Sequence, residues 1–469
     1  MSVGVGASPG EKQAGNILRW FAARRKALKR FIPSSGAVRE IAAVDGLRAL
    51  AIVLVVWHHL YTRAASRQLS TGPKLLGAIA NFGFSGVDLF FVLSGFLLFL
   101  PFARSILSGA PFPSTKQFYY RRALRILPLY LFAVATLLIF QGADLLHGGR
   151  VVPLLLTVLL LQDTTHASMV LVQQVNIVFW TLAIEWQFYL VLPWLARGIR
   201  TFVGHASGRR LSRRFAIALG ALIVLGLGTR VVYAIAHYQF GLYPVDAPHG
   251  IGIVLAIISG VQGKYIETFA LGMGLSVIYI VAVERRQLSR GIAGLYGSGA
   301  LIAALAGLAA CVYWYSWTPK ESGHDANSWI FGTLGPWWLV LGAWVVSVCF
   351  ALLTFAVLMG PWILHWLFSL APLRYIGIIS YSIYVWHLPI VGSIGSTVPY
   401  QFPMGYLSLA TKVWIVVLIY CSASYVIIER PFLSLRRAAH SQSEVQLAKQ
   451  ATVDKRAVPV PLPASVPVS

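Results

Sequence analysis

Charged side chains are scarce in this chain. Asp, Glu, Lys and Arg make up only 11% of its 469 residues, and the acidic residues number 15. With 57% apolar residues and a mean hydropathy of +0.72, the composition lies far outside the range of ordinary soluble domains. A soluble fold is therefore excluded. Recurrent apolar stretches of about 20 residues, the length that crosses a bilayer, indicate an integral membrane protein.

Cysteine is nearly absent as well. Cys311, Cys349 and Cys421 lie inside apolar stretches and outside any CxxC spacing, which predicts neither a disulfide framework nor a cysteine-bound metal. The sequence also lacks a Walker loop, an HExxH motif, a GxSxG elbow and a GxGxxG loop opening a soluble domain. The ATPase, zinc-protease, serine-hydrolase and dinucleotide-binding classes are thus without support, and we expect no metal.

Apolar runs between residues 41 and 430 predict an all-α fold, a transmembrane bundle of about ten helices. The predicted spans lie near 41–62, 80–101, 126–143, 177–196, 215–236, 264–283, 291–315, 333–359, 374–396 and 408–429. The run from Val151 to Leu161 is too short to cross, and we expect it to re-enter the membrane or lie against the bundle. Residues 1–40 are predicted as a basic cytoplasmic segment, 41–432 as the membrane domain and 433–469 as a disordered cytoplasmic tail.

The net charge of +23 comes from Lys and Arg residues placed between or beside the apolar runs. Such basic clusters favour the cytoplasmic side of a membrane, so the charge is a topology signal and predicts no nucleic-acid partner. With both termini in the cytoplasm, the basic loops near Arg122, Arg209 and Arg286 all fall on that side. We therefore predict a multi-pass protein of the plasma (inner) membrane with both termini cytoplasmic.

Ionisable residues inside an apolar span are costly, and they usually mark a functional site or a buried pair. In the first span, Arg48 and His59 are eleven residues apart, so they project from one face, roughly 16 Å apart along the helix axis. His58 is rotated from that face by about 80°. His59 is a candidate general base. Alternatively, Asp45 and Arg48 form a structural ion pair, and His59 is a hydrogen-bonded core residue.

Carboxylates in the second and fourth spans are further candidates. Asp88 lies in an aromatic setting shortly before the small residue Gly95, and it could orient a histidine or belong to a packed polar cluster. Glu185 is followed directly by Trp186. A carboxylate there needs a partner, which is either an arginine such as Arg230 or a substrate hydroxyl. Small residues such as Gly95 also predict that another helix packs closely here.

The ninth span carries His387 in the string SYSIYVWHLPI. Tyr384 precedes it by one turn, and Pro389 follows it, so that a local kink could open a cavity beside the histidine. His387 is therefore either a functional group or a core residue.

Three arginines stand at the start of the third span, in the string FYYRRALRILPLY. They are Arg121, Arg122 and Arg125. Guanidinium groups near a membrane surface suit bidentate contact with the phosphates of a nucleotide-bearing donor. The alternative is anchoring to anionic lipid, which any basic cytoplasmic loop would show.

Six strings, in order from residue 44 to residue 432, resemble the membrane-bound acyltransferase-3 family, which includes bacterial O-acyltransferases of sugars, polysaccharides and macrolides. They are VDGLRALAIVLVVWHH, GFSGVDLFFVLSGFLL, FYYRRALRILPLY, FWTLAIEWQFYL, SYSIYVWHLP and YVIIERPF. The family's basic residue and histidine, with ten residues between them, match Arg48 and His59. The resemblance implies no bound cofactor, cytoplasmic acyl-CoA as co-substrate, and an outer acceptor hydroxyl on a carbohydrate or glycolipid.

O-Acyl transfer is accordingly the leading interpretation. His59 is the predicted general base or transient acyl carrier, oriented by Glu185 or Asp88, and Arg48 holds the thioester end of the donor. The predicted substrate- and donor-binding residues are Arg121, Arg122, Arg125, His387, Tyr384 and Trp186. The alternative is a transporter or lipid flippase that uses the same intramembrane charges as a pathway.

Overall fold

A computed structural model describes residues 42–65, 74–141, 151–240, 251–260, 263–284, 289–316, 338–395 and 404–435. Every regular element in these ranges is helical, which confirms the all-helical prediction for the described part of the chain. The predicted basic segment, residues 1–40, and residues 436–469 of the predicted tail lie outside the described residues.

The described residues form sixteen α-helices. In chain order they are α1 (Ala42–Ala65), α2 (Lys74–Asn81), α3 (Gly86–Ser108), α4 (Thr115–Gln141), α5 (Val151–Val158), α6 (His166–Asn176), α7 (Phe179–Val203), α8 (Gly208–Phe240), α9 (Ile251–Ser259), α10 (Ile266–Tyr279), α11 (Arg290–Ser316), α12 (Ala343–Met359), α13 (Trp362–Phe368), α14 (Ala371–Ile378), α15 (Ser380–Gly395) and α16 (Met404–Ser424). Short 3-10 turns at Phe82–Ser85 and Gln162–Thr164, and π turns at Ile280–Glu284, Trp338–Gly342 and Tyr425–Glu429, extend or join them.

Seven helical segments within the described ranges are long and apolar enough to cross a membrane. They are Ala42–Arg63, Gly77–Ser108, Thr115–Phe140, Gly208–Ile235, Gly291–Tyr313, Val340–Met359 and Tyr406–Leu435. Two further candidates are broken spans, α6 with α7 at a bend of 120° and α14 with α15 at a bend of 72°. The described part therefore supports seven to nine spans. The remaining predicted span, near 264–283, corresponds to the shorter apolar helix Ile266–Ala282.

The short apolar run after residue 150 forms α5, a helix of only eight residues. A helix of that length rises about 12 Å, well short of the roughly 30 Å of hydrocarbon. The hydroxyl of Tyr130 on α4 donates a hydrogen bond to the carbonyl oxygen of Thr157, 2.6 Å away. Thus α5 lies against the bundle, one of the two arrangements expected for it.

Glycines allow α3 and α10 to touch through their backbones. A Cβ atom at Gly95 would lie 2.2 Å from the carbonyl oxygen of Phe269, and one at Gly272 would lie 2.1 Å from the carbonyl oxygen of Val92. Both separations are too short for any side chain, so only glycine permits this approach. The close helix packing predicted at Gly95 is confirmed.

Burial separates central helices from peripheral ones. We compare the buried share of the most apolar 18-residue stretch of each span. This share is 72% in the segment containing α3 and 56% in α1, but only 22% in α8 and in α11. Helices α1 and α3 therefore belong to the interior of the bundle. Their ionisable residues face other helices rather than lipid, as expected from the cost of placing charge in hydrocarbon.

Candidate active site

Two cavities border α1, one toward each of its ends. We name the cavity near the N-terminal end of α1 the inner cavity. It has a volume of about 330 Å³ and is lined by Arg48 together with residues of α3, α4, α7 and α15. We name the cavity near the C-terminal end of α1 the outer cavity. It has a volume of about 530 Å³ and is lined by His59 and by residues of α6 and α15. The structure therefore assigns Arg48 and His59 to different cavities.

Arginine dominates the charge of the inner cavity. Its charged lining residues are Arg48, Arg121, Arg122, Arg125, Asp45 and Glu185. The guanidinium of Arg122 also contacts the rings of Phe118 and Tyr189, at 5.7 and 5.8 Å from their centres. Among the described residues, Nε of Arg122 and Nη2 of Arg125 are buried without a hydrogen-bond acceptor. Buried donors that lack a partner cost about 1 to 3 kcal/mol each, so this cavity suits an anionic ligand.

Glu185 is held on the wall of the inner cavity by two hydroxyl groups. Its Oε1 accepts a hydrogen bond from Ser94 at 2.8 Å, and it accepts a second bond from the hydroxyl of Tyr189. Trp186 packs edge-on against Tyr189, with ring centres 6.5 Å apart, and is not among the described residues that line either cavity. Glu185 thus shares a cavity with the arginines and not with His59.

Asp88 belongs to a separate buried polar cluster. Its Oδ1 accepts a hydrogen bond from Ser347 at 3.1 Å, and Ser347 is hydrogen-bonded to Thr268 at 2.9 Å. Next to Thr268, Glu267 pairs with Arg230 at 2.6 Å. Of the two roles left open for Asp88, the geometry favours the packed polar cluster. Arg230 has Glu267 as its ion-pair partner, and not Glu185.

His59, which lines the outer cavity, pairs with a buried histidine from a helix far away in the chain. Nε2 of His387 on α15 lies 3.2 Å from Nδ1 of His59 on α1. On its other side, Nδ1 of His387 lies 3.0 Å from the carbonyl oxygen of Ile383 and 2.9 Å from that of Tyr384. Nδ1 of His59 is also 2.9 Å from the carbonyl oxygen of Val55. His387, predicted among the substrate- and donor-binding residues, therefore contacts His59 directly.

These contacts determine which ring nitrogens carry hydrogen. Carbonyl oxygens can only accept, so Nδ1 of His387 must donate to them, and its Nε2 is then an acceptor in the neutral ring. The neighbouring donor is Nδ1 of His59, which also faces the carbonyl of Val55. This assignment from the hydrogen-bond network leaves Nε2 of His59 with a free lone pair. His59 can therefore accept a proton at Nε2.

His58 faces a different part of the bundle. Its Nδ1 lies 2.8 Å from the carbonyl oxygen of Asn81, and its ring packs edge-on against Phe84 at 6.0 Å. The neighbouring rings of His58 and His59 are 5.0 Å apart and nearly perpendicular. This arrangement agrees with the helical-face argument, which separates the two histidines.

Tyr384 connects the inner cavity to the pair of histidines. It lines the inner cavity, and its hydroxyl donates to the carbonyl oxygen of Val178 at 3.0 Å and contacts the hydroxyl of Thr181. Its own carbonyl oxygen accepts the hydrogen bond from His387. Val178 and Thr181 lie at the start of α7, just after the sharp bend. The broken span thus places a backbone carbonyl and a hydroxyl group beside Tyr384.

Amide side chains of α6 were missed in the sequence analysis. The outer cavity is lined by Gln173, Gln174 and Asn176 in addition to His59. Asn176 also donates a hydrogen bond to the carbonyl oxygen of Val385, 2.9 Å away. A sequence signal existed, because these amides immediately precede the apolar fourth span. Within the described residues, no group of three or more His, Cys, Asp or Glu side chains could hold a metal ion.

Comparison with known proteins identifies relatives over most of the chain. The family model described as an acyltransferase domain matches residues 41–428. O-acetyltransferase OatA of Staphylococcus aureus is 26% identical over 377 residues, covering 76% of this chain and 52% of the relative. Putative peptidoglycan O-acetyltransferase YrhL of Bacillus subtilis is 26% identical over 427 residues, covering 84% and 55%.

Peptidoglycan O-acetyltransferase OatA of Listeria monocytogenes is 24% identical over 376 residues, which cover 75% of this chain and 50% of the relative. The chain thus spans about half the length of the curated relatives it matches. No solved structure is significantly similar to it.

Proposed function

The chain belongs to the acyltransferase family whose domain model matches residues 41–428, and from that premise we propose that it is a membrane O-acyltransferase. In this proposal, an acyl group passes from acyl-CoA on the cytoplasmic side to a hydroxyl of a sugar or glycan on the outer side. The acetyl group and a peptidoglycan acceptor are suggested by the names of the relatives. The observation that carries the proposal is the placement of α1, which joins an arginine-lined cavity to a histidine-lined one.

The inner cavity suits the phosphates of the donor. Acyl-CoA offers several phosphate oxygens to the buried guanidinium atoms of Arg122 and Arg125, which have no protein acceptor in the described part of the chain. From Arg48 to His59 the helix rises roughly 16 Å, a distance that the flexible pantetheine arm of acyl-CoA can bridge. Tyr384 lines the inner cavity and its carbonyl oxygen contacts His387, so we expect the arm to pass this residue on its way to His59.

The outer cavity suits a carbohydrate. Glutamine amides such as those of Gln173 and Gln174 donate and accept hydrogen bonds, and so they match the hydroxyl groups of a sugar. Nε2 of His59 takes the proton of the attacking sugar hydroxyl, and the oxygen of that hydroxyl bonds to the thioester carbonyl carbon. The carbon–sulfur bond then breaks, and the thiolate of CoA recovers the proton from His59. A transient acyl group on Nε2 would use the same atom.

Membrane vesicles of known orientation test the reaction and its sidedness. With acetyl-CoA added outside, inside-out vesicles should release CoA thiol and acetylate a peptidoglycan fragment enclosed in the lumen, whereas right-side-out vesicles should not use external donor. Thiol release is followed with a colorimetric reagent, and the acetylated fragment is identified by mass spectrometry. Movement of a solute without consumption of acetyl-CoA would instead favour the transporter or flippase.

His387 acts on the reaction through His59, as a positioning residue. As positive charge develops on His59, Nε2 of His387 accepts a hydrogen bond from Nδ1 of His59. This bond keeps the His59 ring in its orientation. His387→Ala should lower kcat by roughly 10- to 100-fold, a loss of the size found when the partner that orients a metal-ligating histidine is removed. KM for acetyl-CoA should change little, because the proposed phosphate contacts lie in the inner cavity.

The conservative variant distinguishes positioning from packing. His387→Gln offers a carbonyl oxygen that can accept from Nδ1 of His59, so it should recover part of the lost kcat. If the glutamine and alanine variants lost equal activity and equal thermal stability, His387 would be a packing residue only.

A further inference from the structure

A third cavity opens between the start of α4 and the end of α7. We name it the α4–α7 groove. It has a volume of about 560 Å³, and its lining residues are Phe112, Pro113, Ser114, Thr115, Lys116, Arg197, Arg200 and Thr201. Three of these residues are cationic, and none carries a carboxylate. The first-turn N–H groups of α4, which begins at Thr115, add partial positive charge at the same place. The groove therefore suits an anion.

The two arginines of the groove are held in position. Nη2 of Arg197 donates a hydrogen bond to the hydroxyl of Thr115 at 2.7 Å, and its guanidinium lies 4.7 Å from the ring centre of Trp194. The guanidinium of Arg200 lies 5.3 Å from the ring centre of Phe112. Such contacts connect α4 to α7 and restrict the side chains. General attraction to lipid headgroups requires no such fixed arrangement.

The groove and the inner cavity lie along the same helix, α4. Thr115 and Arg122 are seven residues apart on α4, which places them on one face about 10 Å apart. Phe118 lies between them, with the guanidinium of Arg122 at 5.7 Å from its ring centre. From Phe118, aromatic contacts run to Phe102 at 5.6 Å and from there to Phe112 at 5.1 Å. A buried aromatic cluster thus packs between Arg122 and the groove.

We propose that the α4–α7 groove is a phosphate subsite that binds the 3′-phosphate of the CoA nucleotide. This inference rests on the proposed use of acyl-CoA as donor. The inner cavity then takes the pyrophosphate, and Lys116 and Arg200 take the second, separate phosphate about 10 Å away along α4. Phe112 lies at the same level, with the guanidinium of Arg200 over its ring, and so holds this arginine beside the groove. The spacing of two basic sites along α4 matches a ligand that carries two separate phosphate groups.

A comparison of two donors tests the subsite. Acetyl-CoA and acetyl-3′-dephospho-CoA differ only in the phosphate assigned to the groove. Binding is measured by calorimetry on the full-length protein in nanodiscs of phosphatidylcholine, which has no net charge. The wild-type protein should bind acetyl-CoA roughly 10-fold or more tightly than acetyl-3′-dephospho-CoA, because one charge-assisted phosphate contact contributes about that factor to affinity. In the double variant Lys116→Ala with Arg200→Ala, acetyl-CoA binding should fall by that factor while binding of the dephospho donor stays unchanged.

The matched control removes a positive charge outside the groove. Arg210 is exposed at the start of α8 and does not line the groove, so Arg210→Ala should keep the wild-type preference for acetyl-CoA. Equal weakening of both donors by the double variant, or equal wild-type affinity for the two, would overturn the subsite and leave the donor proposal intact. Failure of the wild type to bind either donor would instead overturn the proposed function.

Anionic lipids also carry phosphate groups that the groove could bind. A separate measurement therefore distinguishes lipid binding from donor binding. Binding to vesicles of phosphatidylglycerol is compared between the wild type and the double variant. If the double variant loses lipid binding while its preference between the two donors stays wild-type, the groove is a lipid site and the inference is wrong. An unchanged lipid affinity together with a lost donor preference supports it.

Discussion

Replacement of Arg122 and Arg125 together with alanine should weaken acetyl-CoA binding by 100-fold or more. Each charge-assisted phosphate contact contributes about 1.5 to 3 kcal/mol, and two contacts are removed. A nitrogen of each guanidinium is, however, buried without an acceptor in the described part of the chain. Removal of such groups should therefore cost little stability. Calorimetry with acetyl-CoA and a thermal unfolding curve measure the two quantities on the same sample.

Lysine variants separate phosphate recognition from simple charge. Arg122→Lys with Arg125→Lys keeps both charges but loses the forked donors, so donor affinity should lie between those of the wild type and the alanine variant. If the alanine variant failed to insert into the membrane while the protein that did insert bound acetyl-CoA normally, the two arginines would be topology anchors.

The sequence predicts the positions of the helices better than their breaks. Each predicted span corresponds to a helical element, although the span near 264–283 is short and the count in the described part is seven to nine. The breaks between α6 and α7 and between α14 and α15 were not predicted. Hydropathy reports the apolar length of a segment and is insensitive to a change of direction inside it. Those directions depend on contacts such as the one between Tyr384 and Val178.

The candidate site shows the same limit. Helical spacing relates Arg48 to His59. The same spacing is sufficient to predict the contact between Glu185 and Tyr189, which are four residues apart. The pairing of His59 with His387 joins residues 328 positions apart. Neither periodicity nor composition carries information about such a contact. Glu185 lines a cavity with Arg122 and Arg125 and not with His59. This separation follows from tertiary packing alone.

His59→Ala should abolish detectable acetyl transfer without preventing expression or donor binding. A general base contributes about 100-fold to 10,000-fold in rate, and Nε2 of His59 is the nitrogen that the hydrogen-bond network leaves free to accept a proton. The donor phosphates are proposed to bind in the inner cavity, which His59 does not line. Calorimetry should therefore show near-normal affinity for acetyl-CoA in a variant with no transfer activity.

His58→Ala is the matched control, because it removes the same side chain one position away. The ring of His58 contacts the carbonyl of Asn81 and the ring of Phe84. Its removal should lose the hydrogen bond to Asn81, which contributes about 0.5 to 1.5 kcal/mol of stability, and leave substantial activity. Mass spectrometry of the acetylated acceptor compares the two variants at equal amounts of inserted protein. An inactive His58 variant beside an active His59 variant would show that the register of α1 is wrong. The match of Arg48 and His59 to the family's spacing would then be wrong as well.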